Sequence, residues 1–353
     1  MLWAGSDDGR VHFTQDGGAN WTEVTQNIKG LPKGSWVAQI KASNKNKGEA
    51  LLIANDYRRF NYTPYAYRTK NYGKTWERIV DGNDVQSYTL AIVEDIENPN
   101  LMFLGTDDGL YISFNAGDKW QKWTKGYPTV STKDLVIHPR EQDLVIGTFG
   151  RAAWVLDDLR PLRALASDQS ILQKDIKIFN PPTAYQAAYQ QPTGSRFGGD
   201  ALYNAENRKE GAMITYYLKE GKKKSPDKKK DNDSTDSDSS KSENPAQEAE
   251  KPKDKLTGVQ KKDSIMFQVY NGDKLIRTLK KKTPEKAGFY RIYWGMDEKG
   301  PDRPSRKIQK NKNERGGVDV KPGNYKIKVS FGETTDETMI EVKSDPRLNT
   351  SVS

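Results

Sequence analysis

Hydrophobic and polar residues alternate with a period of two in short runs along much of the chain, and Gly, Asn, Asp and Pro separate the runs. Gly211–Leu218, Ser264–Tyr270, Leu275–Leu279, Gly288–Trp294 and Pro322–Val329 each read as a strand. Asn271-Gly272 supplies a two-residue hairpin turn. Nearer the N-terminus, Gly5-Ser-Asp-Asp-Gly9 and Gly105-Thr-Asp-Asp-Gly109 are Asp-Gly hairpin signals flanked by apolar strands. Leu159 to about Leu172 has the pattern of a short amphipathic helix, followed by Ile176-Lys-Ile-Phe179 and the Pro181-Pro182 break. Two stretches lack any apolar period. Gln190–Arg208 reads as a long loop, and residues 222–258 are so dense in Lys, Asp, Ser and Glu that they cannot bury enough to offset ordering, which predicts disorder.

One octapeptide returns three times before residue 125. Its copies are Thr14-Gln-Asp16-Gly-Gly18-Ala-Asn-Trp21, Thr69-Lys-Asn71-Tyr-Gly73-Lys-Thr-Trp76 and Ser113-Phe-Asn115-Ala-Gly117-Asp-Lys-Trp120. Each reads hydroxyl, any, Asp/Asn, any, Gly, any, any, Trp, with starts 55 and 44 residues apart. These residue types build a self-bonded turn. The Asp or Asn side chain accepts from backbone groups two or three residues on, the hydroxyl adds a bond, Gly takes the positive φ, and Trp is left to wedge between sheets. The spacing leaves room for one small antiparallel sheet per copy.

The octapeptides resemble the Asp-box, or bacterial neuraminidase repeat, which sialidases, xyloglucanase-type glycosidases and sortilin-type receptors carry on β-propellers. Asp143-Leu-Val-Ile-Gly147-Thr-Phe-Gly-Arg151-Ala-Ala-Trp154 and the following Asp157-Asp158-Leu-Arg-Pro161 resemble the last propeller strand of large bacterial envelope proteins of the sortilin-like, BNR-repeat kind. Phe149 stands where that group is expected to have His. At about 40–45 residues per blade, 158 residues supply roughly three and a half blades, fewer than the 4–8 of a closed ring. The expectation is therefore an all-β chain: an incomplete propeller over 1–158 whose partners include N-terminal blades of the same protein, then a short helix and linker over 159–209. Residues 210–343 resemble the Ig-like β-sandwich of flagellar hook-capping proteins, with the charged tract inserted, and 344–353 form a tail. The resemblance implies a secreted or periplasmic bacterial protein.

Charge changes the picture only when divided by region. The net charge is +9, yet residues 1–158 hold 18 basic and 20 acidic residues, while 263–343 hold 18 and 12. A phosphate-tracking groove is thus not expected in the larger module, and nucleic acid is not an expected partner. With no Cys and only His12 and His138, thiolate chemistry and multi-His metal sites are excluded, and no cofactor motif is present. No apolar run reaches the length of a membrane span.

Asp7-Asp8, Asp107-Asp108 and Asp157-Asp158 invite comparison with glycosidase carboxylates, but adjacent residues at a strand end point apart and two pairs precede Gly in hairpins, so they read as turn residues. No catalytic residue and no metal ligand is assigned. The candidate ligand surface is Asp56–Arg68, in the longer of the two repeat intervals, where Arg58, Arg59, Tyr62 and Tyr65 are the types that stack on sugars, pair with carboxylates and anchor interfaces. The expected function is non-catalytic recognition of a glycan, peptide or protein. The alternative is a sialidase- or xyloglucanase-like glycoside hydrolase with its catalytic groups mainly in upstream blades.

Overall fold

The three octapeptides close into the same turn. In each, the hydroxyl donates to the Asp/Asn side chain: Thr14 to Asp16 at 2.6 Å, Thr69 to Asn71 at 3.2 Å and Ser113 to Asn115 at 2.9 Å. The hydroxyl oxygen accepts from the glycine N–H four residues on, at 3.1 Å for Gly18, 3.0 Å for Gly73 and 2.9 Å for Gly117. The Asp or Asn side chain accepts from the N–H of Asn20, Thr75 or Lys119, again four residues on rather than two or three. The chain turns through two successive left-handed residues: Gly17 and Gly18, then Tyr72 and Gly73, then Ala116 and Gly117. The second is glycine in all three, and in the second and third copies the backbone there presses on a neighbour: a Cβ on Gly73 would lie 3.0 Å from Val24, and one on Gly117 would lie 3.3 Å from Ile79.

The computed structural model describes residues 1–43, 45–187, 208–221, 264–301 and 314–348, and these fall into two compact units, Met1–Leu172 and Gln173–Ser353. The loop expected over Gln190–Arg208, apart from Arg208, and the charged tract 222–258 lie outside the described residues.

The first unit is an incomplete β-propeller of four antiparallel sheets in chain order. Sheet one holds β1 (Leu2–Gly5), β2 (Val11–Thr14) and β3 (Thr22–Glu23), and sheet two holds β4 (Trp36–Ala42), β5 (Ala50–Asp56), β6 (Asn61–Thr69) and β7 (Glu77–Arg78). Sheet three holds β8 (Thr89–Glu94), β9 (Met102–Thr106), β10 (Gly109–Ser113) and β11 (Gln121–Lys122), and sheet four holds β12 (Thr132–Ile137), β13 (Leu144–Thr148) and β14 (Ala153–Leu156). The first strands of sheets two, three and four, β4, β8 and β12, neighbour one another.

Cores lie between the sheets rather than within one. Alternation sends Leu52 and Tyr67 of sheet two toward Val11 of sheet one, while Leu51, Ile53 and Ala66 meet Ile92, Met102 and Leu104 of sheet three. Phe103, Leu110 and Ile112 then meet Leu135, Ile137 and Ile146 of sheet four. Helix α1 (Arg160–Ser167) adds Leu162 to this last core, and its Arg163 grips the buried Asp95 through two bonds of 2.6 and 2.7 Å.

The three indoles sit at equivalent corners with unequal cover. Trp120 is 4% exposed between sheets two and three, and its Nε1 donates to the Ile79 carbonyl at 2.7 Å. Trp76 is half-buried against sheet one, edge-on to Trp3 at 5.8 Å. Trp21 is 46% exposed, Leu2 of the same sheet is 50% exposed, and no residue beyond its own turn lies within 4 Å of where a Gly18 Cβ would be.

In the second unit, β15 (Ile176–Ile178), β17 (Ala212–Leu218) and β20 (Gly288–Trp294) form one sheet. The order β16-β24-β23-β18-β19 forms another, from β16 (Ala184–Gln186), β18 (Ser264–Asn271), β19 (Lys274–Lys282), β23 (Gly323–Phe331) and β24 (Thr334–Ser344). A two-stranded ribbon joins β21 (Asp297–Lys299) to β22 (Gly316–Asp319). Ile214, Tyr216 and Trp294 of the first sheet pack on Phe267, Ile327 and Val329 of the second, which makes a two-layer β-sandwich. Residues 159–209 thus hold more than a helix and linker, since β15 pairs with β17 and β16 runs parallel to β24.

Two predictions follow from this packing. Thr69→Val leaves the Gly73 N–H without its acceptor and is expected to cost about 1–3 kcal/mol in urea unfolding, whereas Asp16→Asn keeps the turn that Asn71 and Asn115 already make. Trp120→Ala is expected to cost about 3–5 kcal/mol and Trp21→Ala about 1 kcal/mol or less; equal losses would contradict the unequal cover.

Candidate functional site

Antiparallel order puts the loops of the first unit at two ends. The first hairpin of a full sheet and the octapeptide turns lie at one end, whereas the middle hairpins and the sheet-to-sheet connections lie at the other. The candidate surface is at the second end, on the hairpin between β5 and β6.

This hairpin is pinned from beneath. Asp56, 7% exposed, accepts from Arg59 Nε at 2.6 Å and from Asn61 Nδ2 at 3.3 Å, and Asn61 also donates to the Tyr65 hydroxyl at 3.0 Å. Tyr57–Arg59 make one 3-10 turn, and Phe60 ends it in the left-handed region at φ 59° with its ring 85% exposed.

An aromatic ladder runs along the surface above. Arg58 lies over the Trp36 ring at 4.8 Å, Trp36 meets Tyr57 edge-on at 6.4 Å, Tyr57 stacks on Tyr88 at 4.9 Å, and Tyr62 tilts against Tyr88 at 6.1 Å. Trp36 opens β4 and Tyr88 precedes β8, so two sheet-to-sheet connections supply the rungs. Burial raises the Tyr88 phenol above its ordinary value, and its hydrogen bond to the Asp107 carboxylate raises it further.

Of the four residues expected at a ligand surface, the structure brings Arg58 and Tyr62 together on this ladder. Arg59 is tied to Asp56. Tyr65 is 5% exposed inside β6 with Arg78 over its ring at 5.0 Å, so it supports the hairpin from within. Tyr57 and Phe60 lie within the expected Asp56–Arg68 surface without being among its four named residues, and Trp36 and Tyr88 lie outside it. Tyr57 and Phe60 stand in the same aromatic run as Arg58, which is a usable signal; Trp36 and Tyr88 come to it only through the fold.

The carboxylates of this end already serve turns. Asp107 accepts from Tyr88. Asp108 accepts from Lys122 at 2.7 Å, from Thr106 at 2.7 Å and from Tyr111, and Asp8 accepts from Ser6. At the opposite end, Asp158 pairs with Arg160 at 2.7 Å. His138 Nδ1 accepts from the Glu141 N–H, and His12 lies 3.8 Å from Glu23. Among the described residues no cluster of His, Asp and Glu is placed to hold a metal ion, and no helix is long and apolar enough to cross a membrane.

At the opposite end a cavity of about 210 Å³ opens beside Lys41, Lys45, Glu49, Glu94 and Val136. Arg68 holds Glu94 at 3.2 Å and Glu49 at 3.5 Å, while Lys41 and Lys45 donate to the Leu135 and Glu97 carbonyls. Burial pushes Lys41 below its ordinary value and Glu94 above its own. The acidic groups here are occupied in joining the sheets.

Residues 65–162 match the family model described as Sortilin, neurotensin receptor 3. A comparison with curated protein sequences gave no significant match. Among solved structures, the chain is similar to YCF48 bound to D1 peptide, at 15% identity and TM-score 0.33, over 44% of this chain and 47% of that one. It is similar to the GH74 xyloglucanase from Xanthomonas campestris at 18% identity and TM-score 0.35, over 44% and 27%. It is also similar to the GH74 enzyme of Niastella koreensis at 14% identity and TM-score 0.36, over 61% and 33%. The chain therefore spans less than half the length of each of these three structures.

The Tyr88 environment carries a pH dependence. A phenol whose folded pKa is raised contributes stability that is complete below its unfolded pKa of about 10 and is lost as pH rises through the folded value. Urea unfolding measured from neutral pH to above 10 is expected to show that decline, and Tyr88→Phe to make it shallower.

Proposed function

We propose that the first unit is a non-catalytic recognition module of an Asp-box propeller, binding an extended glycan or polypeptide on the ladder formed by Arg58, Trp36, Tyr57, Tyr88 and Tyr62, with Phe60 at its rim. The observation that carries this reading is Phe60. A bulky side chain in the left-handed region costs about 1–2 kcal/mol, and here the ring is 85% exposed, so folding recovers little from it. A partner that covers it would recover the apolar area. Arg58 adds a guanidinium already oriented by stacking, and the edge of Tyr62, 53% exposed, adds a hydroxyl. The engagement of Asp8, Asp107 and Asp108 in turns supports binding over hydrolysis, because a glycosidase needs an acid and a base or nucleophile free to face one sugar.

The exposed corner at Trp21 and Leu2 supports a second element of the reading, that sheet one packs against a further blade of the same protein. Placement outside the cytoplasm and an Ig-like identity for the second unit accompany this reading on the strength of the family resemblance.

The test is a glycan array and a peptide array probed with the protein and with Arg58→Ala, Phe60→Ala and Tyr62→Ala. Each variant is expected to lose about tenfold or more for a ligand the parent binds, with unchanged thermal unfolding. Wild-type affinity in all three would discard the site. Turnover of fluorogenic glycosides that survives in these variants would favour the hydrolase instead.

A further inference from the structure

We propose that the outer face of the five-stranded sheet in the second unit is a binding site for a linear acidic polysaccharide, held by a diagonal of four lysines. Alternation along the strands fixes which residues reach this face. Ile265, Phe267 and Val269 of β18 point into the core, so Met266, Gln268 and Tyr270 point out. In register with them lie Lys280 beside Met266 and Lys282 beside Ser264 on β19, then Lys328 beside Gln268 and Lys326 beside Tyr270 on β23. The first two lysines flank one half of β18 and the second two flank the other half, on its opposite side. Four ammonium groups are thereby strung obliquely across three strands, over on the order of 20 Å at ordinary strand rise and spacing.

Among the described residues, no carboxylate lies within salt-bridge distance of Lys280, Lys282, Lys326 or Lys328. On the same face Glu341 is held by Lys343 at 3.1 Å and by Thr183 at 2.9 Å, and Glu337 stands opposite Lys328 in the β23–β24 register. Between the lysine pairs, Gln268 and Thr278 offer amide and hydroxyl groups suited to sugar hydroxyls.

The chemistry favours an acidic sugar chain over other polyanions. Single-stranded nucleic acid is gripped by successive bases on aromatic platforms, and the one ring on this path, Tyr270, already has Lys326 over it at 5.4 Å. A lipid surface is held by a contiguous apolar wedge together with basic residues, whereas here Met266 at the centre of the path is half-buried and the exposed Leu275 and Met339 at its end stand apart, with Tyr270 and Lys326 between them.

Affinity electrophoresis of the full chain through gels containing alginate, a polyuronate, tests the proposal. Retardation is expected for the parent, and at least tenfold weaker binding for Lys280→Gln/Lys282→Gln/Lys326→Gln/Lys328→Gln with unchanged thermal unfolding. A charge-matched control with Lys222, Lys223, Lys224 and Lys228 changed to Gln is expected to bind as the parent does. Equal loss in both variants, or none in the first, would overturn the site. Oligothymidylate or phosphatidylglycerol vesicles bound more tightly than alginate, with the same four-lysine dependence, would overturn the assignment to a polysaccharide. The Arg58 and Phe60 variants are expected to bind alginate as the parent does, which separates this test from that of the first unit.

Discussion

Sheets of three or four short strands cannot stand alone, because each has two faces to cover and too little area to stabilise either. Everything in the first unit follows from covering those faces with the next sheet. The octapeptide is the device that sets the distance: one hydroxyl and one Asp or Asn bond its backbone from within, and the left-handed residue before the glycine ties it to the first hairpin of its own sheet, the Tyr72 N–H donating to the Gly48 carbonyl at 2.8 Å and the Ala116 N–H to the Asn100 carbonyl at 3.0 Å. Glycine lets the turn approach the exit of the preceding sheet, as Gly73 does on Val24 and Gly117 on Ile79. Tryptophan then closes the corner, and the quality of the closure tracks how much sheet stands opposite, from sealed Trp120 through Trp76 to Trp21.

What could be read from the sequence was local, and what could not was set by distant partners. The repeat, the hairpins and the short helix are each written within a dozen residues, so turn chemistry and periodicity were enough. The left-handed conformation of Tyr72 and Ala116 was not legible, since neither residue type favours it; the side-chain bonds on both sides impose it. Nor was the burial of Tyr65. A strand covered on both faces has no polar side, so nothing in Tyr65-Ala-Tyr67-Arg68 tells which residues face the surface. The ladder lay further out of reach, because Trp36 meets Tyr57 only once β4 pairs with β5, and Tyr88 reaches Tyr57 only once sheets two and three are stacked.

The two ends of the first unit divide the work. At the end bearing the octapeptides, charged groups span sheet boundaries: Arg68 reaches Glu94 and the Ala116 carbonyl, and Arg163 reaches Asp95 from the helix. These contacts fix the sheets relative to each other. At the other end the β5–β6 hairpin is anchored within itself, as Asp56 holds Arg59 and Asn61, and Phe60 at its tip is left to the solvent. A surface built on such tips can change its side chains without disturbing the stack, which is where recognition belongs on a scaffold of this kind.

The second unit reaches the same end by a different rule. On β23 the core residues Tyr325, Ile327 and Val329 alternate with Asn324, Lys326 and Lys328, so one strand specifies both the hydrophobic interior and the charged exterior. A slip of one residue against β18 would exchange them, burying ammonium groups at the cost of their hydration. The lysines therefore act on the fold as well as on any ligand: by being unaffordable inside, they hold the register that keeps them aligned outside.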